Sequence, residues 1–143
     1  MATITRFEDL RIWQNSLALD EELIAVFTFE VMKYDLGMRS QILNSSGSCM
    51  DNIAEGFGRG GNKEFINFLR ISKASIDETR SQMRRAHTRK YISHEESERL
   101  ANTCEEIAKS IGAMIKYLRQ SGMKGARYVS EPDTGYGLGE MEE

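Results

Sequence analysis

Apolar residues recur along this chain at alternating intervals of three and four. Phe65, Leu69, Ser72, Ile76, Thr79, Met83 and Ala86 keep that spacing in one stretch, with small polar residues at two of the positions. Leu100, Cys104, Ile107, Ile111, Met114 and Leu118 keep it in the next. An α-helix turns once every 3.6 residues, so each set falls on one stripe, the seam of a helical bundle. The earlier of these helices begins after Asn62, a good N-cap residue. The later one opens with a capping box, Ser93 to Glu96, and is expected to end at Gly122. Its acids Glu95, Glu96 and Glu98 sit near the positive end of the helix dipole, and Lys116 and Arg119 near the negative end.

Two further helices are predicted upstream. Leu10, Trp13, Leu17, Ile24, Phe27 and Val31 recur at helical spacing behind a Thr5–Glu8 capping box, with Asp20 and Glu21 as polar interruptions and a turn at Asp35-Leu36-Gly37. The second runs from about Met38 to Glu55, with Met38, Ile42, Ser45, Cys49 and Ile53 facing inward. Its middle, Asn44 to Ser48, is poor helix material and costs about 3 kcal/mol relative to alanine. A loop could split it there. The apolar phase carries through from Ile42 to Ile53, which favours one continuous helix whose small residues let neighbours approach closely.

Between the second and third helices lies Asn52–Phe65, NIAEGFGRGGNKEF. Gly56 to Gly61 formally spells G-x-G-x-x-G, but a dinucleotide site needs a strand before the glycines, and a helix precedes them here. The stretch reads as a turn between helices. Asn52 and Glu55 are expected to hydrogen-bond its exposed backbone. Four helices with short connections give an all-α, antiparallel up-down-up-down four-helix bundle over residues 1–119. Residues 120–143 hold five glycines, the single proline Pro132 and few large apolar groups, so a mobile Gly-rich acidic tail is expected. Tyr128, Val129, Tyr136 and Leu138 could instead make it a short docking peptide.

Charge sharpens the division. Of 19 basic and 22 acidic residues, 17 of each lie in residues 1–119, so the tail carries the whole surplus of −3. A neutral body exerts no general pull on nucleic acid, and any such site must be a local patch. Cys49 and Cys104 sit at apolar-stripe positions and read as small buried hydrophobes in a reducing compartment. No signal peptide is recognisable and no apolar run approaches the roughly 20 residues of a membrane span, so the cytoplasm is the expected location.

Catalytic and metal-binding patterns are sparse. His87 and His94 straddle a helix–helix turn, and Glu-x-x-His, Cys-x-x-Cys and His-Glu-x-x-His do not occur. Asp51 and Glu55 share a helical face, but no histidine or second pair completes an acid–base site. The expectation is a protein without catalytic activity, cofactor or metal. Cations offer the better candidate surface. Arg70, Lys73, Arg80, Arg84 and His87 form one stripe on the third helix, interrupted by Asp77, and Arg85, Arg89 and Lys90 thicken its end. Such a stripe can contact phosphates, pair with acids of this or a neighbouring subunit, or simply be solvated at a helix C-terminus.

Two segments are similar to the bacterial four-helix-bundle family of proteins encoded in intervening sequences of 23S ribosomal RNA genes. Phe7 to Gln14 matches its F-x-D-L-x-x-W-Q opening, including Trp13. Asn52-Ile53-Ala54-Glu55-Gly56-Phe57-Gly58-Arg59, followed by Asn62 to Phe65 and Phe68-Leu69, matches its second motif. With Gln41 and Gln82 the similarity spans roughly residues 5–118. The resemblance implies a protomer assembled as a ring-shaped homopentamer, without known enzymatic activity, with ribosome or RNA association suggested by gene location. It also implies similarity to the nucleic-acid- and reverse-transcriptase-binding accessory protein of diversity-generating retroelements. One departure matters: where the family commonly has two basic residues after Gln41, this chain has Leu43 and Asn44. The reading is therefore a non-enzymatic scaffold or adaptor with an RNA-facing stripe. Its rival is a protein-interaction module that docks a partner through the tail and does not bind nucleic acid.

Overall fold

The computed structural model describes residues 3–121 and 130–135. Five helices follow one another: α1 Arg11–Val26, α2 Phe29–Met32, α3 Leu36–Gly58, α4 Asn62–Thr88 and α5 His94–Ser121, preceded by a 3-10 turn at Phe7–Asp9. No β-strand occurs among the described residues. The four long helices form a bundle in which α4 packs along both α3 and α5, and α1 lies chiefly on α3. Every seam residue expected on α3, α4 and α5 is buried, from Met38 to Leu118.

Helix α3 is continuous through Asn44–Ser48. Its hydroxyls explain how so polar a segment can be interior. Ser45 Oγ lies 2.7 Å from Thr79 Oγ1 and donates to Gln82 Oε1 at 2.7 Å. Ser48 and Ser75 pair at 2.8 Å, and Ser72 donates to the Cys49 carbonyl at 2.7 Å. Small side chains bring α3 and α4 close, and Ser45, Ser48, Ser72, Ser75 and Thr79 all find partners across the gap, which offsets the cost of burying them. Ser46 is buried without one.

The N-terminal helix differs from expectation. Thr5 does not start it: the chain makes the 3-10 turn, passes through extended Leu10 and enters α1 at Arg11 with no side-chain cap. The helix then stops at Phe27, and Thr28 caps the one-turn α2 by accepting from the Val31 amide at 3.2 Å. That break buries both Phe27 and Met32 completely and turns Val31 outward; Ile24, inside α1 before the break, faces out as well, both against the predicted inward phase. The true inner face of α1 is Ile12, Leu19 and Leu23.

Connections also differ in detail. Asp35-Leu36-Gly37 is no free turn, because Asp35 caps α3 through the Met38 amide, and Leu36 and Gly37 are already helical. Gly61, not Asn62, is the N-cap of α4. Asn62 is buried and reaches the Leu118 carbonyl at 3.4 Å and Ser121 Oγ at 3.3 Å, tying the start of α4 to the end of α5. Ser93 does cap α5, accepting from the Glu96 amide at 3.1 Å.

At the glycine-dense turn, a Cβ on Gly56 would lie 2.5 Å from Phe68 Cβ, so only glycine lets α3 and α4 approach this closely. Gly60 supplies the positive φ of 89° that reverses the chain. Asn52 and Glu55 do not hold this backbone. Asn52 donates back to the Ser48 carbonyl at 2.8 Å, and Glu55 pairs with Arg59 at 3.0 Å, because both point along their own helix one turn away.

Of the tail, residues 130–135 lie against α1 and α5, through Glu131 at Arg11 and Ile12 and Thr134 at Ser110. Gly122, Tyr128, Val129, Tyr136 and Leu138 fall outside the described residues.

Candidate functional site

The basic stripe occupies the outer face of α4, opposite the seam that fixes the helix in the bundle. Lys73, Asp77, Arg80, Ser81 and Arg84 line one shallow open cleft of about 480 Å³. Three cations here meet three carboxylates. Lys73 faces Asp77 at 3.4 Å, Arg80 faces Glu105 of α5 at 3.5 Å, and Arg84 pairs with Glu98 of α5. The Arg84 hydrogen bond holds the Glu98 carboxyl below the usual range.

The remaining cations do not share that cleft. Arg70 donates to Asn67 at 3.2 Å. Arg85 turns to the α3 side and donates to Gln41 Oε1 at 2.8 Å. Arg89 pairs with Asp35 at 3.0 Å, and Tyr91 donates to the same carboxylate at 2.9 Å. The Tyr91 hydrogen bond, with Met38 and Arg89, lowers the Asp35 pKa, while the carboxylate pushes the phenol upward. Lys90 carries the backbone turn after α4 with a φ of 67°. The sequence stripe is thus a cleft of three cations plus ties to neighbouring elements, with Lys73, Arg80, Arg84 and Arg89 held by carboxylates and Arg70 and Arg85 by neutral amides. Glu98, Glu105 and Asp35 were not singled out as partners, since nothing in one sequence says which helix faces which.

The family-type residues meet elsewhere. Phe7 packs edge-on against Trp13 at 5.2 Å, and Phe57 against Phe65 at 5.8 Å. The two segments come together, with Phe7 and Glu8 lining one cleft with Phe57 and Gly58. Arg59 lies over the Phe68 ring at 5.1 Å. Gln82 donates to the Gln41 carbonyl at 3.2 Å. These side chains join the bundle's parts. Leu43 is half-buried and Asn44 exposed.

Other candidate chemistry is muted. Cys49 and Cys104 are fully buried; burial pushes both thiols up, Cys104 to about 12, leaving little thiolate near neutrality. His87 and His94, on the two helices that the turn joins, meet edge-to-face at 5.4 Å, because the turn folds α5 back beside α4. Among the described residues no three metal-ligating side chains converge, and no helix is long and apolar enough to cross a membrane.

A second surface escaped the sequence reading. Ile24, Phe29, Val31, Tyr34 and Leu36 are exposed, Phe29 at 62% and Tyr34 at 91%, around the end of α1, α2 and the start of α3. The signal was Thr28, a capping residue directly after an apolar run, whose break shifts the phase of all that follows.

These features define an all-helical bundle protein presenting its chemistry on outer surfaces. The chain belongs to the 23S rRNA-intervening sequence protein family, whose sequence profile matches residues 8–113. Among solved structures, it is similar to a protein of unknown function from the S23 ribosomal protein family of Bacteroides thetaiotaomicron VPI-5482. The identity is 26% and the TM-score 0.65, over 73% of this chain and 98% of that one. No curated protein matches.

Proposed function

We propose that the protein is a non-enzymatic scaffold whose up-down-up-down bundle joins other protein surfaces, beginning with copies of itself in a ring for which the family resemblance favours five subunits. The observation that carries this reading is the concentration of exposed large apolar side chains at Ile24, Phe29, Val31, Tyr34 and Leu36. Exposed aromatic and aliphatic groups gathered in one region mark association surfaces, because covering them removes apolar area from water. Light scattering coupled to chromatography tests it. The full chain should run at a multiple of 16.3 kDa at micromolar concentration, and Phe29→Ser/Tyr34→Ser should shift the mass towards the monomer while helicity is unchanged. A monomeric wild-type mass removes the ring.

RNA association is the second reading, favoured by the Lys73–Arg80–Arg84 cleft and by the family's name. Phosphate would have to displace Asp77, Glu105 and Glu98 from their cations, so binding should be weak and strongly salt-sensitive. Titration with structured RNA across a salt series should show affinity falling as salt rises and abolished in Arg80→Glu/Arg84→Glu. Binding that is indifferent to salt or to the double variant rejects the stripe.

A further inference from the structure

The geometry points to a peptide-docking site at the N-terminal end of α1: we propose that it reads an extended acidic peptide of Glu-Pro-Asp type, and that the chain fills it with its own residues 131–133 as a displaceable intramolecular ligand.

Helix α1 starts without a side-chain cap, leaving its first amides to find acceptors elsewhere. Glu131, far along the chain, brings both carboxylate oxygens to them. Oε1 accepts from the Arg11 amide at 2.5 Å and Oε2 from the Ile12 amide at 2.9 Å. Glu131 is only 7% exposed in this position. An anion there also meets the positive end of the helix dipole.

A second set of contacts is independent of the helix end. The Arg11 guanidinium donates to the main-chain carbonyls of Glu131 at 3.5 Å and Pro132 at 3.0 Å, and its Nε lies 3.5 Å from Glu131 Oε1. Main-chain carbonyls held by an arginine, beside one buried carboxylate, are contacts of short-peptide recognition. Pro132 fixes φ and lowers the entropy lost on docking. Thr134 and Ser110 hydroxyls meet at 3.1 Å, and Asp133 accepts from the Gly135 amide at 3.0 Å, closing the stretch with a turn. Asp133 itself stays outside, 4.0 Å from Arg11 Nη1 and 84% exposed.

Among the described residues, the hydrophobic core is built from the bundle, and residues 131–133 contribute no side chain to it. That separates it from an element of the fold. Tethered to α5 through residues 122–129, it competes at an effective concentration of about millimolar, so an external peptide meets a site that is mostly closed.

The test is amide NMR on the full chain, with a capped peptide of residues 130–135 as probe. In Glu131→Ala the Arg11 and Ile12 amide resonances should move, and the peptide should return them towards their wild-type positions. The wild type should need at least about tenfold more peptide for any response. A peptide carrying Glu131→Gln should bind at least about tenfold more weakly, having lost the charge on its hydrogen bonds. The proposal is overturned if millimolar peptide leaves those amides of the variant unmoved, or if the Gln peptide binds as well. It also falls if Glu131→Ala and Glu131→Gln both lose their helicity by circular dichroism, since the segment would then be part of the fold rather than its ligand.

Discussion

Single atoms decide several features of this bundle. A methyl group at Gly56 would sit 2.5 Å from Phe68 Cβ and 3.1 Å from Phe65 Cδ1, both on the opposing helix. Gly56→Ala should therefore destabilise the fold by about 1–3 kcal/mol, the usual cost of overpacking, read as a lower urea midpoint. The Asp35–Tyr91 contact makes a pH prediction. The Asp35 pKa is lowered, chiefly by the Tyr91 hydrogen bond, so its contribution is present above the ordinary carboxylate range and is lost as acid titrates the folded carboxyl. The Tyr91 pKa is raised, so its contribution is full below the ordinary phenol range and is lost as alkali titrates the folded phenol. Urea midpoints of wild type and Tyr91→Phe should differ near neutrality and converge at both extremes. A difference that is flat with pH would assign the effect to packing.

At the scale of elements, packing overrides propensity. The Asn44–Ser48 segment is helical because Ser45 and Ser48 find Thr79, Gln82 and Ser75 on α4, not because these residues favour helix. Gly47 in the same segment has open space around its missing side chain. Gly47→Ala should therefore stabilise by about 0.4–1 kcal/mol, measured as a higher melting temperature, since it restricts the unfolded chain without a clash. The same substitution thus has opposite signs at two glycines nine residues apart. Their letters alone do not distinguish them. The seams of α3, α4 and α5 were legible because a repeating spacing survives any local variation in propensity. The break after Phe27 was not, since Thr28 is its one local signal and the apolar residues around it fit both helical phases until Met32 is seen in the core.

For the whole molecule, the distribution of charge matters more than its total. The cations of α4 lie across from Glu98 and Glu105 of α5 and Asp35 before α3, so the outer stripe is largely compensated. Exposed pairs of this kind stabilise little, about 0–1 kcal/mol each, and their chief effect is to lower the positive potential a phosphate would meet. On the proposed function, association falls to the exposed apolar end around Phe29 and Tyr34, and the mass measurements above test it. By itself the amino-acid order determined the helical class, the inward faces of three long helices, the turn at Gly56–Gly61 and the family, because periodicity and short motifs are local properties of a chain. Only the tertiary structure decided which acids neutralise the stripe, which apolar residues remain outside and where Glu131 docks. Those depend on distances between residues tens of positions apart, and such distances exist only once the helices have packed.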